Sequence, residues 1–281
     1  ILKAHGYATG HFGKWHLGTL TPEFSGKGAS RDPRRNHRTP GDAGFDEWFS
    51  TEYAVATWDP YDPLNAHGRF DPRALYWHNG GNIVDGPAAG LTGGDSRIII
   101  NHALPFIEQT VQSGRPCLAV IWFHAPHEPV VAGPAYRALY PDEPEPRQHY
   151  FGCVTELDEQ LGRLRSRLRD LGIADDPLLW FCSDNGPEGN PGPKVRTQGS
   201  AAPFRGRKRS LYEGGIRVHG LIEWPARLAT PRHTDFAAVT SDIVPTILEI
   251  LGAPLPEDPA RQFDGISLLP VIDDRLAVRP Q

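Results

Sequence analysis

The 281-residue sequence contains no methionine and opens on Ile1. Translation products begin with methionine, so an interior fragment is expected, in which the lack of a leader says nothing about compartment. Cysteine is nearly as scarce. Cys117, Cys153 and Cys182 stand far apart, in none of the spacings that hold zinc or form a redox pair. Two fall in apolar, strand-like runs, and small buried thiols are the expectation. No stretch approaches the ~18–20 consecutive apolar residues of a bilayer crossing, so no membrane span is expected. Neither sign of charge dominates. The 29 basic and 34 acidic residues leave a net charge of −5, too mild to point to nucleic acid or an anionic membrane surface as partner. No internal repeat or low-complexity tract is visible. Glycine and proline are abundant instead, 30 and 28 residues, well above the usual combined share of ~12%. Because apolar runs recur between them, a loop-rich folded protein is expected rather than a disordered one.

Two continuous apolar runs, residues 117–123 and 178–182, read as buried strands. Each breaks at its carboxyl end into polar residues: His124-Ala125-Pro126-His127-Glu128-Pro129 after the first, Ser183-Asp184-Asn185-Gly186 after the second. Between them, residues 149–171 form a predicted helix. Val154, Leu157, Leu161, Leu164, Leu168 and Leu171 make one apolar stripe on it, and Arg163, Arg165, Arg167 and Arg169 fall largely off the stripe, on an expected solvated face. Strand, helix, strand is the unit of an α/β sheet, and such sheets place ligands beyond the carboxyl ends of their strands. Further predicted elements are a helix tail at residues 1–6, a short strand within 7–18, helices over 101–113 and from Thr240 or Ser241 to 251, and a strand over 216–224. Residues 19–97 read as irregular. Within them the charge run 31–38 is expected to be solvated, and the aromatics of 44–49 to pack on a core. The Trp58 to Trp77 stretch suits either a substrate-pocket lining or a folded loop with aromatic anchors.

Candidate chemistry sits at the strand ends. Asp184 and Asn185 offer adjacent oxygens suited to a hard cation such as Ca²⁺ or Mg²⁺. Lys208, in Phe204-Arg205-Gly206-Arg207-Lys208-Arg209-Ser210-Leu211-Tyr212-Glu213-Gly214-Gly215, supplies a point charge for an anion held with that cation. Taken alone, Asp-Asn-Gly is equally the sequence of a turn. In Gly13-Lys14-Trp15-His16, strand alternation places Lys14 and His16 on one side. The alternative is a strand end with a solvated lysine and a packed histidine. A nucleotide loop is excluded, because Trp15 stands where Ser or Thr is required. His124 and His127 are spaced His-x-x-His on a proline-bounded loop, weak grounds for a metal site but suited to one acid or base.

Taken together these stretches resemble the sulfatases of the alkaline phosphatase superfamily, of the arylsulfatase and N-acetylgalactosamine-6-sulfatase kind. The segments carrying the resemblance occur in the family's order: Gly6-Tyr7-Ala8-Thr9 with Gly13-Lys14-Trp15-His16-Leu17-Gly18; Ala125-Pro126-His127-Glu128-Pro129; Ser183-Asp184-Asn185-Gly186; Gly206-Arg207-Lys208 with Tyr212-Glu213-Gly214-Gly215; Thr240-Ser241-Asp242-Ile243-Val244-Pro245-Thr246; and Asp264-Gly265-Ile266-Ser267-Leu268-Leu269-Pro270. The resemblance covers nearly the whole chain. It implies an α/β fold with an alkaline-phosphatase-like mixed sheet flanked by helices, truncated at the N-terminus and at the C-terminus, with a partial catalytic domain over 1–252 and the start of a small subdomain over 253–281. It implies sulfate-ester hydrolysis on a sulfated carbohydrate or aryl sulfate, with no nucleic-acid partner, in an exported compartment.

By that resemblance Asp184 and Asn185 are ligands of Ca²⁺, or of Mg²⁺. Lys14 and Lys208 bind sulfate oxygens, and Lys14 also contacts a hydrated formylglycine. His16 is the base when the sulfo-enzyme collapses to aldehyde, and His127 protonates the leaving alcohol. Departures are equally specific. No Cys or Ser is followed by x-Pro-x-Arg, and the family's N-terminal paired aspartates are missing, so the formylglycine is expected outside this chain. His219 stands where the family usually has proline. Two rivals remain: a phosphatase or phosphonate hydrolase of the same superfamily, and a non-catalytic sulfoglycan-binding homologue. Asn185, an amide oxygen donor, disfavours a two-zinc site, and retention of both proton-transfer histidines disfavours a pure binder.

Overall fold

A computed structural model describes residues 1–65, 70–189, 194–256 and 263–280. Its strands are β1 (Ala8–Lys14), β2 (Glu47–Thr51), β3 (Tyr76–His78), β4 (Gly81–Asn82), β5 (Cys117–Trp122), β6 (Leu179–Cys182) and β7 (Gly220–Glu223). The helices are α1 (Pro33–Asn36), α2 (Asp95–Gln112), α3 (Pro134–Arg137), α4 (Glu145–Asp170), α5 (Glu213–Ile216), α6 (Ile243–Ile250) and α7 (Leu269–Ile272). Two compact units result, residues 1–174 with 180–221, and residues 175–179 with 222–281.

In the first unit a mixed five-stranded sheet runs β4-β3-β2-β1-β5. β1 pairs in parallel with β2 on one side and β5 on the other, so that Phe12 lies opposite both Phe49 and Ile121. β3 and β4 add on antiparallel. Helix α2 covers this sheet with Ile98, Ile99, Ile100, Ala103, Phe106 and Ile107, all buried, and the Phe106 ring lies 5.6 Å from that of Phe12. α4 packs on α2. Trp15, just beyond the carboxyl end of β1, packs with Leu20 and with Trp48 at the start of β2 in a buried cluster against which Phe45 and Trp77 lie.

Several expectations need correction. The 19–97 stretch contains β2, a central strand, because Glu-Trp-Phe-Ser-Thr is too short and too mixed for its pattern to declare a strand. α2 begins at Asp95 rather than 101, and α4 at Glu145 rather than 149, with Pro146 in its first turn, where a proline costs no hydrogen bond. The buried face of α4 includes His149, Cys153, Glu156 and Gln160 beside Leu157, Leu164 and Leu168, whereas Val154 is exposed. Two of its arginines are not merely solvated: Arg163 donates to Asn101 at 2.9 Å and Arg167 to Glu108 at 2.7 Å, tying α4 to α2. β5 and β6, expected to be buried, are only half-buried. Among the described residues β5 pairs with β1 alone, and β6 lies in a separate two-stranded sheet with β7. Of the thiols, Cys153 is buried and Cys117 and Cys182 are half-exposed. The aromatics of the Trp58 to Trp77 stretch serve as anchors: Tyr61 and Tyr76 are buried, Trp77 joins the cluster above, and the Trp58 ring abuts Tyr136. Residues 66–69 of that stretch lie outside the described residues.

The second unit is organised by Asp242. Its carboxylate is fully buried, accepts the amides of Val239 and Ile266 at 2.9 and 2.8 Å, and pairs with Arg279 at 2.7 and 2.9 Å. Thr246 on α6 accepts the Leu268 amide at 2.8 Å, which docks the chain leading into α7.

Candidate active site

Lys14 is the last residue of β1. Beyond it the sheet pairing continues for two residues, with Trp15 N–H donating to Thr51 O at 2.9 Å and His16 N–H to Glu52 O at 2.8 Å. The Trp15 indole is buried and donates to Arg38 O at 2.6 Å. His16 has φ 55°, in the left-handed region, which costs an L-residue roughly 1–2 kcal/mol. Strand alternation therefore does not place Lys14 and His16, as the sequence suggested. A left-handed residue beyond the strand end does, and strain of this kind collects at functional sites.

The structure separates the two histidines after β5. His124 is buried and bonded at both ring nitrogens, Nδ1 to Asp95 at 2.7 Å and Nε2 to Thr51 Oγ1 at 2.8 Å. Asp95, itself fully buried, also accepts the Tyr76 hydroxyl. This network has no signal in the sequence beyond the His-x-x-His spacing. It makes His124 a structural post, and the His124 carbonyl accepts the His127 amide at 2.7 Å. His127 Nδ1 lies 2.7 Å from the Glu128 carbonyl. A carbonyl only accepts, so Nδ1 carries the hydrogen and Nε2 is left as the working nitrogen.

Asp184 and Asn185 follow β6 and are brought to Lys208 by glycine-on-glycine packing. Gly186 N–H donates to Gly215 O at 2.8 Å, Gly214 N–H to Arg205 O at 2.8 Å, and Lys208 N–H to Pro187 O at 3.0 Å. A Cβ on Gly186 would fall 1.9 Å from the Gly214 carbonyl oxygen, so no other residue permits this approach. Asn185 turns its amide nitrogen to the Gly186 carbonyl at 2.9 Å, which leaves its Oδ1 as an open acceptor. The Lys208 ammonium is half-buried, 3.7 Å from Glu188, a carboxylate shared with Arg207 and Arg209.

Electrostatics show that these groups share one site. Burial lowers the pKa of Lys14; Asp184 opposes that shift, while Lys208 and Lys27 add to it. Burial also lowers the pKa of His127, opposed by its bond to the Glu128 carbonyl and reinforced by Lys14 and Lys208. Partial burial, then Lys27, Lys14, Arg31 and His127, hold His16 down at about 4. Lys14, His16, His127, Lys208 and Asp184 are thus linked electrostatically through Lys14, and Lys27 and Arg31 act on His16 from a neighbouring loop. Arg31 belongs to the charge run expected to be solvated, and Lys27 has no signal in the sequence. A pocket lined with ammonium and imidazole groups is built for an anion.

Whether the residues suit a metal turns on donor chemistry. A carboxylate and an amide oxygen are hard donors of the right kind for Ca²⁺ or Mg²⁺, but roughly six to eight oxygens are needed for Ca²⁺. Among the described residues no group of three or more His, Cys, Asp or Glu side chains is placed to complete a metal site. Asp184 and Asn185 by themselves offer two of the oxygens that such a cation needs.

The family model described as Sulfatase matches residues 1–253. The chain is 31% identical to N-acetylgalactosamine-6-sulfatase of Sus scrofa over 284 residues, spanning 100% of this chain and 49% of that protein. It is 30% identical to arylsulfatase G of Rattus norvegicus, spanning 97% of this chain and 52% of the relative. Among solved structures, Ps i-CgsB in complex with k-i-k-neocarrahexaose superposes with a TM-score of 0.78 at 26% identity, over 98% of this chain and 56% of that one. The chain therefore spans about half the length of the curated relatives it matches.

Proposed function

The chain belongs to the sulfatase family, a family of sulfuric ester hydrolases, and on that premise we propose that it supplies the cationic and proton-transfer half of an active site for sulfate esters of carbohydrates. The observation that carries this reading is the electrostatic linkage of Lys14 to Asp184, Lys208, His16 and His127, groups drawn from four separate segments. Lys14 and Lys208 hold two sulfate oxygens. Asp184 and Asn185 are the residues that would hold Ca²⁺ or Mg²⁺, whose charge would offset that of the bound ester. A formylglycine hydrate, if the complete protein carries one, would supply the attacking oxygen.

As the S–O bond to the sugar breaks, its electron pair goes to the leaving oxygen, and His127 Nε2–H protonates it. The Nδ1–H bond to Glu128 holds the ring in place through that transfer. Charge develops on oxygens already faced by fixed cations, so little reorganisation is needed at the moment of reaction. His16, neutral above a pH of about 4, is the base that accepts the hydroxyl proton released as sulfate departs and the resting state is restored.

A carbohydrate substrate is supported by the relatives: one is named for N-acetylgalactosamine 6-sulfate, and another was solved with a neocarrahexaose bound. An exported location goes with this reading, and no helix among the described residues is long and apolar enough to cross a membrane. The test is expression of the complete gene and assay of inorganic sulfate release from N-acetylgalactosamine 6-sulfate and 4-nitrophenyl sulfate. Sulfate release that is abolished by Lys14→Ala supports the assignment. Phosphate release from 4-nitrophenyl phosphate with no sulfate release from either ester would refute it in favour of a phosphatase.

A further inference from the structure

Residues 21–31 loop out between the Trp15 cluster and α1 and carry Lys27 and Arg31. Their anchor is Glu52, the residue after β2, whose side chain is almost entirely buried. Glu52 Oε2 accepts the Gly26 amide at 2.7 Å, and Oε1 accepts the Ser25 hydroxyl at 2.9 Å and faces Arg31 Nη1 at 3.3 Å. The Glu52 carbonyl is the one that accepts His16 N–H at 2.8 Å. A single residue thus fixes the loop through its side chain and His16 through its backbone. Gly26 permits the approach: a Cβ there would lie 2.4 Å from the Tyr53 ring and 3.0 Å from Ala74.

The charges in this clamp do not cancel. Arg31 is matched by Glu52, and among the described residues no carboxylate lies in ion-pair contact with Lys27. Lys27 is nevertheless half-buried, and its charge acts on both His16 and Lys14. A partly desolvated ammonium that feels Glu52 only beyond ion-pair distance, and shares it with Arg31, is costly unless a ligand supplies further negative charge. In the reading above the scissile sulfate is already met by Lys14 and Lys208. We propose that Lys27, held by the Ser25-Gly26-Glu52 clamp, binds a second anionic substituent of the substrate, a sulfate or a carboxylate neighbouring the ester that is cleaved. The substrate class is then a multiply charged sulfated glycan rather than an isolated sulfate monoester, an inference that rests on the sulfatase reading above.

The experiment compares wild type with Lys27→Gln and Lys27→Arg in the protein expressed from its complete gene. The substrates are 4-nitrophenyl sulfate, N-acetylgalactosamine 6-sulfate, its 4,6-disulfate, and a glucuronate-linked N-acetylgalactosamine 6-sulfate disaccharide. For Lys27→Gln the expected result is a KM raised about tenfold, the loss of one charge-assisted hydrogen bond at a half-exposed site, on one or both doubly charged sugars. KM for the two monosulfates and all kcat values stay within about twofold, and Lys27→Arg restores binding. Which doubly charged sugar responds tells sulfate from carboxylate. An equal rise in KM on singly and doubly charged substrates overturns the inference, since Lys27 then serves the scissile sulfate. So does wild-type turnover confined to 4-nitrophenyl sulfate, which leaves the sulfatase reading standing. No turnover of any sulfate ester by wild type removes both.

Discussion

Measuring kcat/KM for sulfate release by the complete protein between about pH 3.5 and 9 tests the division of labour between His16 and His127. The site needs His16 neutral and His127 protonated at once. Burial and the charges of Lys27, Lys14 and Arg31 disfavour the imidazolium of His16, which titrates at about 4 against an ordinary 6.5, so it is available as a base above about 4. Burial, with Lys14 and Lys208, displaces His127 in the same direction, below 6.5. Its protonated fraction therefore falls as the pH rises through a value on the acid side of 6.5. The product of the two fractions is a bell with its acid limb near 4 and its basic limb below 6.5, so its maximum lies between the two, and above the basic limb the rate drops about tenfold per pH unit. His127→Gln removes the donor while keeping a similar volume. Loss of general acid catalysis costs about 10²- to 10⁴-fold, borne by a sugar ester, whose alkoxide is a poor leaving group. 4-Nitrophenyl sulfate, with a stable phenolate leaving group, should lose about tenfold or less, and the basic limb should vanish from its profile. An optimum at pH 8 or above, or an equal loss on both esters, would refute the assignment of His127 as donor and His16 as base.

Glu156 is buried and titrates at about 7 against an ordinary 4.5, chiefly through desolvation. Its contribution to stability is full below pH 4.5 and is lost as the pH rises through about 7, a loss on the order of 3 kcal/mol. Denaturant unfolding at pH 5 and pH 8 should show that loss in wild type and not in Glu156→Gln. The Cys153 thiol, fully buried and pushed up to about 12 by desolvation, should resist a thiol reagent in the native protein at pH 8, while Cys117 and Cys182 react; mass spectrometry of the labelled peptides decides. Gly186→Ala should separate Asp184 and Asn185 from Lys208, because its Cβ meets the Gly214 carbonyl, lowering turnover at least tenfold with helix content by circular dichroism unchanged. Chelation should abolish activity and Ca²⁺ should restore it, and Asp184→Ala should raise the Ca²⁺ concentration required by tenfold or more.

Local chemistry wrote part of this protein directly into its sequence. The runs ending at Trp122 and Cys182 are strands because apolar residues continue until polar and turn-forming ones stop them. The positions of His127, Asp184 and Lys14 at strand ends follow from those breaks, and the order of the motifs sufficed to identify the family. What joins residues 14, 127, 184 and 208 is packing between segments far apart in the chain, which no local pattern encodes. Tertiary structure made Glu47–Thr51 a central strand, since burial between β1 and β3 supplied what five mixed residues lack. It also gave the two histidines of His-x-x-His different surroundings, enclosing His124 with Asp95, Thr51 and Tyr76 and leaving His127 partly exposed. The role of Lys27 depends wholly on such long-range contacts: a charge in an irregular loop becomes part of the site because Glu52, two dozen residues further on, holds the loop beside His16.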